Sequence, residues 1–279
     1  MLLPVPAAAS GALLLSLGVL LSGCAAVGSG GQPEPTTASS AGSSTTIAIS
    51  PEERNWARSL GDVAGHLQPV PAWEHYKLPG KQETQYGFVR TDGRVALHAS
   101  SSASASMFRT TMAVPAGALG NFHFSWKVAS LIDGADIGVR DSDDAPARVV
   151  LAFDGDRSRF SLREAAMSEL ARAITGEEMP YATLMYVWCN QRPVGTVITH
   201  PRSSRVRAIV VESGTGRLGQ WTTYQRDVLA DFNRAFGEAP GRLTGVALMT
   251  DSDNTHSQAQ AWYGPLRFDT SALAQAPTP

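Results

Sequence analysis

From residue 84 onward, apolar and polar side chains alternate with the two-residue period of half-buried strands. The cleanest case is 121–128, where Phe122, Phe124, Trp126 and Val128 share one face. Segments 84–90 and 94–100 flank Thr91-Asp92-Gly93, and an Asp-Gly pair between such runs signals a hairpin. Residues 147–153, β-branched and apolar apart from Arg148, predict a central strand. Further strands are predicted at 104–112, 181–188, 195–200, 205–212, 242–250 and 258–268. Helix signals are fewer. Ser50-Pro51-Glu52-Glu53 has a cap, a proline at the first helical position and a returning glutamate, so a short helix runs to about Leu60. Ser161 and Glu164 form a second capping box before an Ala-rich run to Ile174, closed by Gly176. Residues 225–237 carry Val228, Leu229, Phe232, Ala235 and Phe236 as one stripe, with Gly237 at the end. No internal repeat is visible. The pattern predicts a mainly β, jelly-roll-like β-sandwich with two or three short helices, one domain over residues 50–270.

The first 23 residues follow a different pattern. An uncharged run from Ala7 to Leu21 is broken by Ser10, Gly11, Ser16 and Gly18. It is short of the ~20 apolar residues that a spanning helix needs. It ends in Leu21-Ser22-Gly23-Cys24, small residues before a cysteine, which is the lipobox arrangement. Residues 1–23 are therefore expected to be a lipoprotein signal peptide, although no Lys or Arg precedes the run. Cys24 would carry the lipid, anchoring the mature chain to a bacterial membrane without spanning it. Ala25 suits outer-membrane sorting in a cell with two membranes, with the domain on the periplasmic or extracytoplasmic side. Residues 24–49 are rich in Gly, Ser, Thr, Ala and Pro and read as a flexible tether. Residues 271–279 read as a fraying tail.

Charge narrows the partners. The chain has 23 basic and 25 acidic residues, a net charge of −2, which argues against nucleic acid. Its 43% hydrophobic content is enough to build a core. With Cys24 lipidated, Cys189 has no intrachain disulfide partner and reads as a small buried hydrophobe rather than a nucleophile.

Two acidic turns carry the candidate chemistry. Asp141-Ser142-Asp143-Asp144 precedes the central strand, and Asp251-Ser252-Asp253-Asn254-Thr255 follows the strand ending at Thr250. If strands from opposite halves of the chain stack face to face, these corners become neighbours. Asp143, Asp144, Asp251, Asp253 and Asn254 would then line a polar pocket. Asp141, Asp143, Asp251 and Asp253 could hold Ca²⁺ there, whose ligands are hard oxygens. The competing reading is that these side chains bond local backbone while Arg148 and Arg226 neutralise them. Aromatic rings form the second feature. Trp126 and Trp188 read as core, whereas Trp73 and Trp221 sit in loop-like contexts; Trp221 or Tyr263 is the expected stacking ring for a sugar. No Gly-x-Ser-x-Gly, P-loop, dinucleotide fingerprint or His-Glu-x-x-His motif occurs.

Several segments, in order, carry a resemblance: DDAPARVVLAF (143–153), YVW (186–188), VVESG (210–214), RDVLADFNRAFG (226–237), MTDSDNT (249–255) and AWYGPLRF (261–268). Together they resemble the bacterial domain-of-unknown-function family numbered 3047, from about Trp73 to Phe268. The resemblance implies an exported or envelope-associated β-sandwich reminiscent of carbohydrate-binding jelly rolls, with no established activity. Pro265 stands where the family often has an aspartate. The expected function is a membrane-anchored, non-catalytic domain that binds a carbohydrate or other envelope polymer, with no cofactor apart from the Ca²⁺ option. One alternative is a hydrolase or lyase acting on polysaccharide through loop carboxylates such as Asp144 and Asp251. Another is an interaction module whose acidic loops are purely structural.

Overall fold

The computed structural model describes residues 50–58, 60 and 72–270. Cys24 and the segments expected to be signal peptide, tether and tail lie outside the described residues. The fold is two stacked sheets. The larger runs in the order β1 (Trp73–Lys77), β4 (Ser106–Val114), β11 (Leu243–Asp251), β6 (Ala145–Phe153), β7 (Ala182–Cys189), β9 (Val206–Ser213), β8 (Val197–Thr199). The smaller runs β10 (Thr222–Asp227), β5 (Leu119–Val128), β12 (Gln258–Tyr263), β3 (Arg94–Ser102), β2 (Gln85–Thr91), with β13 (Arg267–Thr270) also paired to β5. All pairings are antiparallel except β7 with β9. The predicted β-sandwich is the observed fold.

Alternation explains the core. Phe122, Phe124, Trp126 and Val128 of β5 are at most 1% exposed, and each such burial contributes about 1.5–3 kcal/mol. Ring contacts cross between sheets: Phe124 stacks on Tyr186 at 5.4 Å and Trp126 meets Trp188 at 6.4 Å. Eight of nine β6 residues are buried, as a strand apolar apart from Arg148 requires. Asp92 (φ 49°) and Gly93 (φ 74°) are both left-handed, the geometry of a two-residue hairpin turn matched to strand twist.

The predicted helices are present. In α1 (Pro51–Arg58), Ser50 and Glu53 exchange capping bonds of 3.2 and 2.7 Å. In α2 (Leu162–Thr175), Ser161 and Glu164 do the same, and Gly176 ends the helix at φ 78°. In α3 (Val228–Phe236), Asp227 caps Ala230 N–H at 3.0 Å and Val228, Phe232 and Ala235 are buried. Three boundaries differ from expectation. Residues 225–227 are strand, because β10 pairs with β5 as far as Asp227 before α3 begins. The segment 258–268 is two strands, since Pro265 has no N–H to continue the ladder. Residues 73–77 form β1, too short to show a period. Among the described residues, no helix is long and apolar enough to cross a membrane.

Candidate functional site

The two acidic turns do meet. The cause is not the stacking of facing sheets: β6 and β11 are side-by-side neighbours, with Asp251 opposite Ala145. In an antiparallel pair the start of one strand lies beside the end of the other. One oxygen each from Asp144, Asp251 and Asp253 comes within 4.8 Å of the others. Asp144 is 1% exposed and Asp251 3%.

The corner is knitted from within. Arg148, itself buried, donates from Nε and Nη2 to the two oxygens of Asp251 at 2.9 and 2.8 Å. Its Nη2 also reaches Asp143 Oδ1 at 3.2 Å. Asp143 Oδ2 pairs with His200 Nε2 at 2.7 Å. Asp144 accepts from Asn254 N–H (3.2 Å) and from both the N–H and hydroxyl of Thr255 (2.7 Å each). Asn254 Nδ2 donates to the Asp143 carbonyl at 2.8 Å, and Asp253 pairs with Lys81. Burial raises the Asp143 carboxyl, but Arg148 and His200 outweigh it and hold the group below its ordinary range. Burial dominates at Asp251 and, with the nearby Asp144 and Asp143 charges, pushes its carboxyl up to about 7 against the pull of Arg148.

These donors decide what the corner can do. Both oxygens of Asp251 already accept from Arg148, and both oxygens of Asp144 accept from Asn254 or Thr255, so a cation at Asp144, Asp251 and Asp253 would share these carboxylates with the donors already in place. Asp141, expected among the ligands, is exposed and outside the converging group. Arg226 does not serve these loops: it pairs with Asp231 at 2.6 Å, beneath the Tyr186 hydroxyl. Tyr263, expected to stack on a ligand, is 0% exposed, and its ring points into the core by the alternation of β12. Its hydroxyl donates to the Met249 carbonyl at 2.7 Å and lies 2.8 Å from Thr250 Oγ1. Trp73 is not a loop ring either; it lies on β1, half-buried, and stacks on Phe108 at 5.5 Å against the core. Cys189 is 4% exposed, and burial pushes its thiol up to about 11.

Trp221 belongs to a different site. On the solvent face of the smaller sheet, register places Gly87, His98, Trp262 and Lys127 in one cross-strand row. Trp221, immediately before β10, adjoins Lys127. His98 stacks on Trp262 at 4.9 Å, and Lys127 Nζ lies 4.7 Å from the same ring on the opposite flank. Lys127 is also 5.8 Å from the Trp221 ring, over which Arg94 sits at 4.7 Å. Asp92, presented by the hairpin turn, accepts from Lys127 (2.6 Å) and from Trp221 Nε1 (2.9 Å). The result is a ridge of alternating rings and cations across four strands. Beside it lies a polar row, Gln85, Ser100 and Gln260. Gly87, at the end of the ridge, leaves open space next to the imidazole. Sequence reasoning counted Trp262 among the candidate aromatics but preferred Trp221 or Tyr263, and it missed His98, Lys127, Arg94 and Asp92 as site residues. The signal was the outward phase of each alternation: once Phe124, Trp126 and Val128 point in, Lys127 points out.

The sequence matches, over residues 71–267, the family described as "Protein of unknown function (DUF3047)". The chain belongs to that family. Among curated proteins none matches this DUF3047 chain. Solved structures similar to it include the xyloglucanase domain of NopAA, a type three effector from Sinorhizobium fredii, in complex with cellobiose (8% identity, TM-score 0.38, 71% of this chain and 92% of that one). SGBP-B from a complex xyloglucan utilization locus in Bacteroides uniformis is similar at 10% identity and TM-score 0.32, covering 73% and 48%. Endoglucanase 3 of Trichoderma harzianum, from family GH12, is similar at 6% identity and TM-score 0.35, covering 73% and 99%. At these scores none bears on what the DUF3047 chain binds.

Proposed function

We propose that this protein is a non-catalytic, lipid-anchored envelope domain that binds an extended carbohydrate along the outer face of its smaller sheet. The observation that carries the reading is the ridge of His98, Trp262, Lys127 and Trp221, solvent-facing and flanked by an amide- and hydroxyl-bearing row. Sugar rings offer C–H faces that pack on aromatic surface and hydroxyls that need donors and acceptors at fixed places. The ridge supplies the first and Gln85, Ser100 and Gln260 the second. No atom lies within 4 Å of where a side chain at Gly87 would begin, so this end of the ridge is open. The strands repeat about every 4.8 Å, so one saccharide unit spans roughly one strand. The acidic corner does not serve as the hydrolase alternative requires, because Asp144 and Asp251 are too buried to reach a glycosidic oxygen.

Depletion by insoluble peptidoglycan and by neutral polysaccharides tests the reading. The protein is retained by at least one of them, and Trp262→Ala weakens retention about tenfold, as the loss of one ring worth about 1.4 kcal/mol requires. Retention by none overturns it. The anchor is tested separately: a palmitate analogue labels the protein in cells, and Cys24→Ser abolishes the label. Unlabelled wild-type protein would overturn the anchor.

A further inference from the structure

We infer that the outward face of α2 rests on a lipid surface. The described residues include five large apolar side chains that are exposed, and three of them lie on this one helix: Leu162 (93%), Leu170 (60%) and Ile174 (60%). With Ala166 and Ala173, also exposed, they fall at intervals of four, four, three and one along the helix, which forms a single stripe. The opposite face, with Ser168 buried and Glu164, Met167, Ala171 and Thr175 half-buried, is the one turned to the protein. Polarity across the helix is thus inverted relative to α3, whose apolar stripe is packed inward. Exposed leucines scattered singly are ordinary; three aliphatic side chains on one face of one helix are a surface. Arg163 is exposed on the same helix, and its long stem lets the charge rise to headgroup level while the stripe sinks below it; Arg172 is paired with the exposed Glu169 at 2.6 Å, so these two charges stay together at the interface.

The occupant follows from where the chain goes. Residues 25–49 separate Cys24 from Ser50. A flexible Gly/Ser-rich chain of that length would have an end-to-end distance of about 25–30 Å. A lipid on Cys24 therefore holds the domain within reach of the bilayer, at an effective concentration where a small apolar stripe suffices to set orientation. The inference rests on the anchor proposed above. Its consequence is geometric: α2 faces the membrane, and the domain is oriented rather than free to tumble on its tether.

The experiment supplies the anchor chemically, so that its outcome does not depend on lipidation in the cell. The mature chain is coupled through Cys24 to a maleimide lipid in phosphatidylcholine vesicles. Cys189 stays unreacted because it is 4% exposed and its thiol is pushed up to about 11. Hydrogen exchange is then measured across 162–175. Exchange slows about tenfold on vesicles relative to free protein. The Leu170→Gln, Ile174→Gln variant, whose altered side chains are each 60% exposed, loses that slowing and keeps its exchange elsewhere. Unchanged exchange in the coupled wild-type protein overturns the inference, as does slowing that appears with protein concentration in the absence of vesicles, which would mean a second copy covers the stripe. Slowing on these vesicles together with no palmitate label in cells would leave this inference standing and remove the anchor.

Discussion

The acidic corner and the ring ridge differ in what their charges face. At the corner, Asp143 and Asp251 are buried against the buried Arg148 guanidinium, Asp143 also pairs with His200, and Asp144 accepts from Asn254 and Thr255 of the other turn. On the ridge, Asp92 is 52% exposed at the side chain, and the rings and cations stand on a solvent face. A dense cluster of reactive-looking side chains can thus be spent wholly on holding loops to strands. A sparse row that each strand contributes to by one residue is where a ligand has access. On the proposed reading the corner serves folding and the ridge binding, and each can be perturbed without the other.

The strongest break is at Arg148. Arg148→Met leaves Asp251 and Asp143 as buried carboxylates without their partner and costs about 3–5 kcal/mol in urea denaturation. Glycan retention, measured below the unfolding transition, is unchanged. The next effect is on pH. The Asp251 carboxyl titrates near 3.9 in the unfolded chain and at about 7 when folded. Between those values the folded state holds the extra proton, so this group's stabilisation is full below pH ~4 and is lost as pH rises through ~7. Asp251→Asn removes that decline, and stability curves at pH 4 and 7 check it. Asp143 acts with the opposite sign: its depressed folded value gives stability above about pH 4 that is lost on acidification below it. Asp144→Ala comes next, at about 1–3 kcal/mol, because the Asn254 and Thr255 donors lose their acceptor. The smallest stability change belongs to the ridge. Trp221→Ala and Trp262→Ala each shift unfolding by no more than about 1 kcal/mol, since the rings lie outside the core, while retention falls.

Legibility followed the same divide. The inward phase was readable: Phe122, Phe124, Trp126 and the 147–153 run announce their faces, and local caps at Ser50, Ser161 and Gly176 fix helix ends within a residue or two. The meeting of the two acidic turns was readable as a possibility, but its cause was not, because sequence does not say that β11 slots between β4 and β6. Arg226 looked like a partner for these turns and pairs instead with Asp231, five residues away, because β10 places it on the other sheet. Tyr263 and Trp262 are consecutive, so choosing the wrong one inverts in and out; a strand offers the two only on opposite faces. The ridge itself was illegible, since its members come from five separate segments and adjoin only through register.

The central claim is that the ridge binds and the corner folds. The most direct test measures retention on the bound polysaccharide and the melting temperature together, for the wild type and for Trp221→Ala, Trp262→Ala combined. The account predicts a melting temperature within a few degrees of wild type and retention reduced by at least about tenfold, the two losses not simply adding because both rings share Lys127. Retention equal to wild type in that folded variant would contradict it.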